Sequence, residues 1–156
     1  MEECNVLFVC TGNTCRSPVA EALAKAKAAR EGRNIAILSA GLHAIPGTTV
    51  SEHAFDAIRS ADSEALPYLE AHVPRQAAAA YIEAADFVVT MTEGQKRQLI
   101  HHFPGAESKT RYLGELAGEN VDVIDPFGGD ASVYEACVAD ITRLLAKAWH
   151  KFKAED

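Results

Sequence analysis

The sequence predicts an α/β protein: a parallel sheet with helices on both of its faces. Three observations lead there. Short β-branched runs alternate with helical stretches along the 156 residues, which requires crossover connections between strands. The first apolar run passes directly into a polar, glycine-containing loop and then a helix start. Finally, Val133, Cys137, Ile141, Leu144, Leu145, Ala148 and Phe152 recur at helical spacing, which predicts a long amphipathic helix at the end of the chain.

In order, Asn5–Val9 reads as a buried strand. Ser17 and Pro18 read as the N-cap and first residue of a helix that runs to about Arg30 and closes at Gly32. Ile35–Ser39 is a second strand ending at Gly41, and 43–50 is a loop. Ser51-Glu52 opens a second helix with Phe55 and Ile58 inward. Pro67 and Pro74 interrupt 60–75. Gln76–Glu83 is helical, Phe87–Met91 is a strand, and Thr92 with Gln95 fits a capping box for a helix to Phe103. Weaker strands are expected at Thr110–Leu113 and Val121–Ile124.

Residues 1–156 are read as one domain, a length that supports a full core. Lys and Arg number 15 against 22 Asp and Glu, a net charge of −7. Such a balance disfavours nucleic acid and anionic membranes as partners, since both select positive charge. The acidic Met1-Glu2-Glu3-Cys4 start and the short Val6–Val9 run do not make a signal peptide. No stretch approaches the ~20 apolar residues of a membrane span, so a cytoplasmic protein is expected. Three of the four cysteines (Cys4, Cys10, Cys15, Cys137) fall in the first fifteen residues, which points to reactive or buried thiols rather than a disulfide scaffold.

Ligands of parallel sheets bind beyond the carboxyl ends of the strands. Two features are expected at that edge. The first is Cys10-Thr11-Gly12-Asn13-Thr14-Cys15-Arg16-Ser17. A tight turn into a helix aims backbone N–H groups and the positive end of the helix dipole at one spot, which suits a tetrahedral oxyanion such as phosphate. No triphosphate-binding Gly-x-x-x-x-Gly-Lys-Ser/Thr occurs in the chain. Cys10 is placed as the nucleophile, its thiolate favoured by the dipole, Arg16 and the Ser17 hydroxyl. Arg16 is placed as a bidentate phosphate clamp. Gly12 and Asn13 are read as the residues tolerating unusual backbone. Inert packing thiols and a zinc site are the alternatives, but zinc lacks a second Cys pair. The second feature is Asp125-Pro126, with Asp125 as general acid for a leaving group and Pro126 stiffening its loop. A plain Asp-Pro turn is the alternative.

On these residues, together with Ser39-Ala40-Gly41 and the stretch from Ala85-Asp86 to Met91-Thr92, the chain resembles the low-molecular-weight protein tyrosine phosphatase family nearly end to end. The resemblance implies a three-layer αβα fold with a four-stranded parallel sheet and the phosphate-binding loop after the first strand. It implies a phosphocysteine mechanism with no metal or organic cofactor, acting on phosphorylated proteins. Cys10 attacks phosphorus, Asp125 protonates the leaving atom and then activates water, and Arg16 and the N–H groups of Thr11 to Ser17 hold the oxyanion. Asn13, Ser17, Ser39 and His72 match the family's loop-supporting network; a histidine in the core or on the surface is the alternative for His72. Cys15 falls close to Cys10 in the family pattern, either as a disulfide partner that protects it or as a packing residue.

Family members acting on phosphotyrosine commonly carry Leu and Ile where this chain has Thr11 and Thr14. The threonine-bearing loop and Asp125-Pro126-Phe127-Gly128-Gly129 resemble the protein-arginine phosphatase branch. A hydroxyl at Thr14 can hydrogen-bond a phosphoguanidinium, and Phe127 offers a stacking wall. Phosphotyrosine is the alternative substrate. Arsenate reductase on the same fold is a weaker rival, because the thioredoxin-coupled type uses cysteines in mid-chain and none lies between Cys15 and Cys137. A phosphoprotein-binding module would need neither Cys10 nor Asp125.

Overall fold

The computed structural model describes residues 4–153. Its centre is a four-stranded sheet of β1 (Cys4–Cys10), β2 (Ile35–Gly41), β3 (Phe87–Thr90) and β4 (Thr110–Tyr112) in the order β2-β1-β3-β4. All three pairings are parallel. The central strand β1 alternates its side chains between two apolar layers. Val6, Phe8 and Cys10 join one cluster, and Leu7 and Val9 join the other. The thiol of Cys10 therefore emerges on the face that carries the longest helices.

That face is covered by α1 (Arg16–Glu31), α2 (Glu52–Ala61), α3 (Leu66–Glu70) and α7 (Ala131–Ala148). Phe152, fully buried past the end of α7, sets its ring edge-on to Phe8 and Phe87. The opposite face is covered by α4 (Ala79–Ala84) and α5 (Glu93–His102). The short α6 (Leu113–Leu116) follows β4. The expected three-layer arrangement and four parallel strands are present.

Local signals explain several boundaries. Gly32 ends α1 in the left-handed conformation, its N–H donating to Ala28 and Ala29 carbonyls. Ser51 caps α2 by accepting from His53 N. Thr92 and Gln95 form the expected reciprocal capping box at the start of α5.

Four expectations fail. Val121–Ile124 is not a strand. This segment runs past the sheet making one backbone hydrogen bond from Val123 N to Met91 O, and Ile124 is 77% exposed. Ser17 is not an N-cap: α1 begins one residue before it, and its hydroxyl is used inside the loop. Gln76 precedes α4 and bridges to Gly41 instead. Val133 lies off the buried stripe of α7, where Tyr134, Cys137 and Val138 turn inward, whereas Phe55 of α2 packs half-buried against the same core as Ile58.

Candidate active site

The loop from Thr11 to Cys15 joins the carboxyl end of β1 to the N-terminus of α1. No side chain caps α1, and its first turn carries no acid. Among the described residues, no protein group accepts from the backbone N–H of Thr11, Gly12, Asn13 or Thr14. Donors of the loop and of the first helical turn are thus free to meet an anion, with the dipole reinforcing them.

Asn13 shapes the loop. It is fully buried at φ 58°, the left-handed region that Asn tolerates. Its Nδ2 donates to Ser17 Oγ and Ser39 Oγ, both at 2.9 Å, and its Oδ1 accepts from Arg75 N at 2.9 Å. Gly12, expected to hold the unusual backbone, has no positive φ. The glycine that the site requires is Gly41: a Cβ there would lie 2.8 Å from Thr11 O and 3.1 Å from Asn13 Cβ. Strand β2 can therefore pass directly beneath the loop.

Cys10 Sγ sits 2.9 Å from Ser17 Oγ. With the sulfur ionised, that hydroxyl donates to it. Behind Asn13, Ser39 Oγ donates to Glu21 Oε1 at 2.5 Å, and Lys25 Nζ lies 2.6 Å from Glu21 Oε2. His72 Nε2 donates to Asn13 O at 3.0 Å, and its buried Nδ1 lies 3.5 Å from Glu21 Oε1 without forming a hydrogen bond. Burial pushes the Glu21 carboxyl up, but contacts from His72, Lys25 and Ser39 outweigh it and hold the group below the usual range.

A cavity of about 550 Å³ opens over this loop. Cys10, Thr11, Gly12, Thr14, Cys15 and Arg16 line its base, and Asp125 and Phe127 its wall. Arg16 is buried. Its NH1 donates to Val123 O at 3.0 Å, and its NH2 lies 3.7 Å from Asp125 Oδ2. The segment 121–124, expected as a strand, is therefore the brace that aims the guanidinium. Asp125 Oδ1 accepts from Phe127 N at 3.1 Å, Gly128 continues the turn at φ 82°, and Phe127 is 86% exposed. Thr11 is tied back through its Oγ1, which accepts from Gln95 Nε2 at 3.1 Å.

Cys10, Asn13, Ser17, Ser39 and His72 are thus connected by hydrogen bonds, Arg16 is paired with Asp125 instead, and Thr14 and Phe127 line the same cavity as Cys10, Arg16 and Asp125. Sequence reasoning missed Glu21, Gln95 and the Val123 carbonyl. Glu21 had a visible signal: an acid in the middle of the otherwise apolar helical run Val19, Ala20, Ala22 and Leu23, all buried. Cys15 borders the cavity and packs against the apolar cluster that also contains Cys137 of α7.

One cavity thus brings together a thiol at the base of an uncapped loop, a buried arginine and a carboxyl group paired with it. The chain belongs to the low molecular weight phosphotyrosine protein phosphatase family, whose model matches residues 5–156, and it is a protein phosphatase. It is 36% identical over 152 residues to a protein-arginine-phosphatase of Bacillus subtilis, covering 97% of this chain and 98% of that one. It is 38% identical over 152 residues to a low molecular weight protein-tyrosine-phosphatase, PtpB, of Staphylococcus epidermidis, covering 96% and 99%. Among solved structures, the YwlE arginine phosphatase with its active-site cysteine replaced by a phosphorylated serine superposes with a TM-score of 0.86, at 36% identity and 94% coverage of both chains. Among the described residues, no helix is long and apolar enough to cross a membrane.

Proposed function

We propose that this chain is a cytoplasmic protein-arginine phosphatase working through a phosphocysteine intermediate. The observation that carries the reading is Cys10 Sγ at the base of the loop, in contact with Ser17, below Arg16 and Asp125. Cys10 Sγ attacks phosphorus in line as the phosphorus–nitrogen bond breaks, and Asp125 delivers its proton to the departing guanidino nitrogen. Arg16 and the N–H groups of residues 11–17 hold the three equatorial oxygens through both steps. The carboxylate of Asp125 then takes a proton from water, which attacks phosphorus, releases inorganic phosphate and returns the electron pair to Cys10. The side chains of Asn13, Ser39, His72 and Glu21 position the loop without touching the substrate.

Thr14 supports phosphoarginine over phosphotyrosine, because it lines the cavity with a side chain whose hydroxyl can accept from a planar N–H-rich group, as a methyl group cannot. A relative named for arginine at 36% and one named for tyrosine at 38% leave total identity uninformative. Phosphotyrosine is the second reading, favoured by the exposed Phe127 ring at the mouth. The test is kcat/KM for one peptide carrying phosphoarginine and one carrying phosphotyrosine. A ratio above about 10 in favour of phosphoarginine is expected, and a ratio below unity overturns this assignment.

A further inference from the structure

The cavity over the loop extends beyond the groups that handle phosphate. At about 550 Å³ it is of the size that takes a whole drug-sized ligand. Thr49, Ser51 and His53, around the start of α2, and Tyr134, near the start of α7, also line it. Tyr134 stands apart among them. It is only 5% exposed and packs in the apolar cluster, its ring centroid 5.3 Å from that of His53. Among the described residues its hydroxyl has no hydrogen-bond partner, yet it is not sealed from solvent. The little surface that Tyr134 keeps, hydroxyl included, therefore lies where the residue borders the cavity. A buried tyrosine ordinarily finds a partner for its O–H, because an unmatched polar group is costly. Here that partner has to come from the cavity.

The surroundings of Tyr134 define the chemistry of that partner. The N-terminus of α1 is uncapped, whereas Ser51 caps α2 and Asp130 caps α7, accepting from His53 N and Val133 N. These two helix ends therefore hold no second phosphate. Beyond Arg16 and Asp125, no Lys, Arg, Asp or Glu lines the cavity. Such a place selects a neutral acceptor for the phenolic O–H. The neutral acceptor that every protein substrate carries next to its phosphorylated residue is a main-chain carbonyl.

We propose that Tyr134 is a substrate-binding residue: its hydroxyl donates to a main-chain carbonyl of the polypeptide flanking the phosphorylated residue, and the His53 ring packed beside it holds the phenol in place. This rests on the chain acting as a protein phosphatase at Cys10, and it applies equally to phosphoarginine and phosphotyrosine. The consequence is selection for a phosphorylated residue within a chain. A peptide engages both the phosphate-binding loop and Tyr134, whereas a small phosphorylated molecule without main chain engages the loop alone. Because the bond lies away from the reacting phosphorus, it is made equally before and during the chemical step and acts on KM rather than kcat.

The test compares the unmodified enzyme with Tyr134→Phe, which keeps the ring against His53 and removes only the hydroxyl. Two substrate pairs are used: a phosphoarginine peptide with a phosphorylated alkylguanidine, and a phosphotyrosine peptide with phenyl phosphate. Tyr134→Phe is expected to lose about fivefold more kcat/KM on the peptide than on its small counterpart, the worth of one hydrogen bond, and to lose it through KM. Equal losses on both members of a pair, no loss on either, or a loss confined to kcat overturns the proposal. The unmodified enzyme gives a reading that needs no variant: each peptide should exceed its small counterpart in kcat/KM by at least about fivefold, and parity overturns the proposal. Turnover confined to the phosphotyrosine pair would overturn the arginine assignment alone, and the Tyr134 comparison is then made on that pair.

Discussion

Asn13→Ala removes the side chain from which the phosphate-binding loop is built, and its cost follows from the contacts. The side chain makes three hydrogen bonds: Nδ2 to Ser17 and Ser39, and Oδ1 from Arg75 N. All lie in a site where Asn13 is fully buried. At about 1 kcal/mol each, their loss costs about 3 kcal/mol. Ala must also adopt φ 58°, which adds about 1 kcal/mol. The sum, about 4 kcal/mol, lowers Tm by roughly 10 °C for a chain of this length. Asn13→Gly separates the two parts, since Gly adopts this φ freely and should be about 1 kcal/mol less destabilised than Ala. Urea unfolding of the three proteins at neutral pH measures both differences. An Asn13→Ala loss below about 1 kcal/mol would refute the view that these bonds hold the loop.

Three further outcomes are expected. Asp125→Asn should lower kcat by roughly 10²–10⁴ on poor leaving groups and far less on activated aryl phosphates; equal losses on both would remove it as general acid. Glu21 sits below its ordinary range in the folded state, so it stabilises the fold above the unfolded carboxylate range near pH 4 and loses that contribution as pH falls through the folded value. The stability gap between the unmodified protein and Glu21→Gln, measured by urea unfolding, should therefore be full at pH 7 and shrink below about pH 4; a pH-independent gap contradicts the network. Thr14→Ile should shift the kcat/KM ratio from phosphoarginine toward phosphotyrosine by roughly tenfold, and an unchanged ratio removes Thr14 as the selector.

Legibility of the site in the sequence tracked distance along the chain. The strand, loop and helix carrying Cys10 and Arg16 are contiguous, so spacing alone exposed them. The box of Thr92 and Gln95 spans three residues and was equally visible, but not the reach of Gln95 back to Thr11 Oγ1. Glu21 lies eight residues from Asn13 and His72 fifty-nine, and only tertiary packing brings them behind one loop. Val121–Ile124 looked like a strand because its apolar residues suit one. Only the structure shows that Val123 makes a lone backbone contact to Met91 and spends its carbonyl on Arg16. Ser17 misled for a related reason: a hydroxyl at a helix start normally caps it, whereas here the uncapped end faces an anion site and the hydroxyl faces a sulfur.

The central claim is covalent chemistry at Cys10, and rapid-quench mass spectrometry under turnover addresses it most directly. Acid quenching within the first turnover should yield the peptide containing Cys10 heavier by one phosphoryl group. With an activated aryl phosphate, whose leaving group needs no proton, Asp125→Asn slows hydrolysis of the intermediate more than its formation and should accumulate more of it than the unmodified enzyme does, and Cys10→Ser should neither turn over nor form it. Turnover by Cys10→Ser, or a phosphoryl group found on any other residue, would contradict the account.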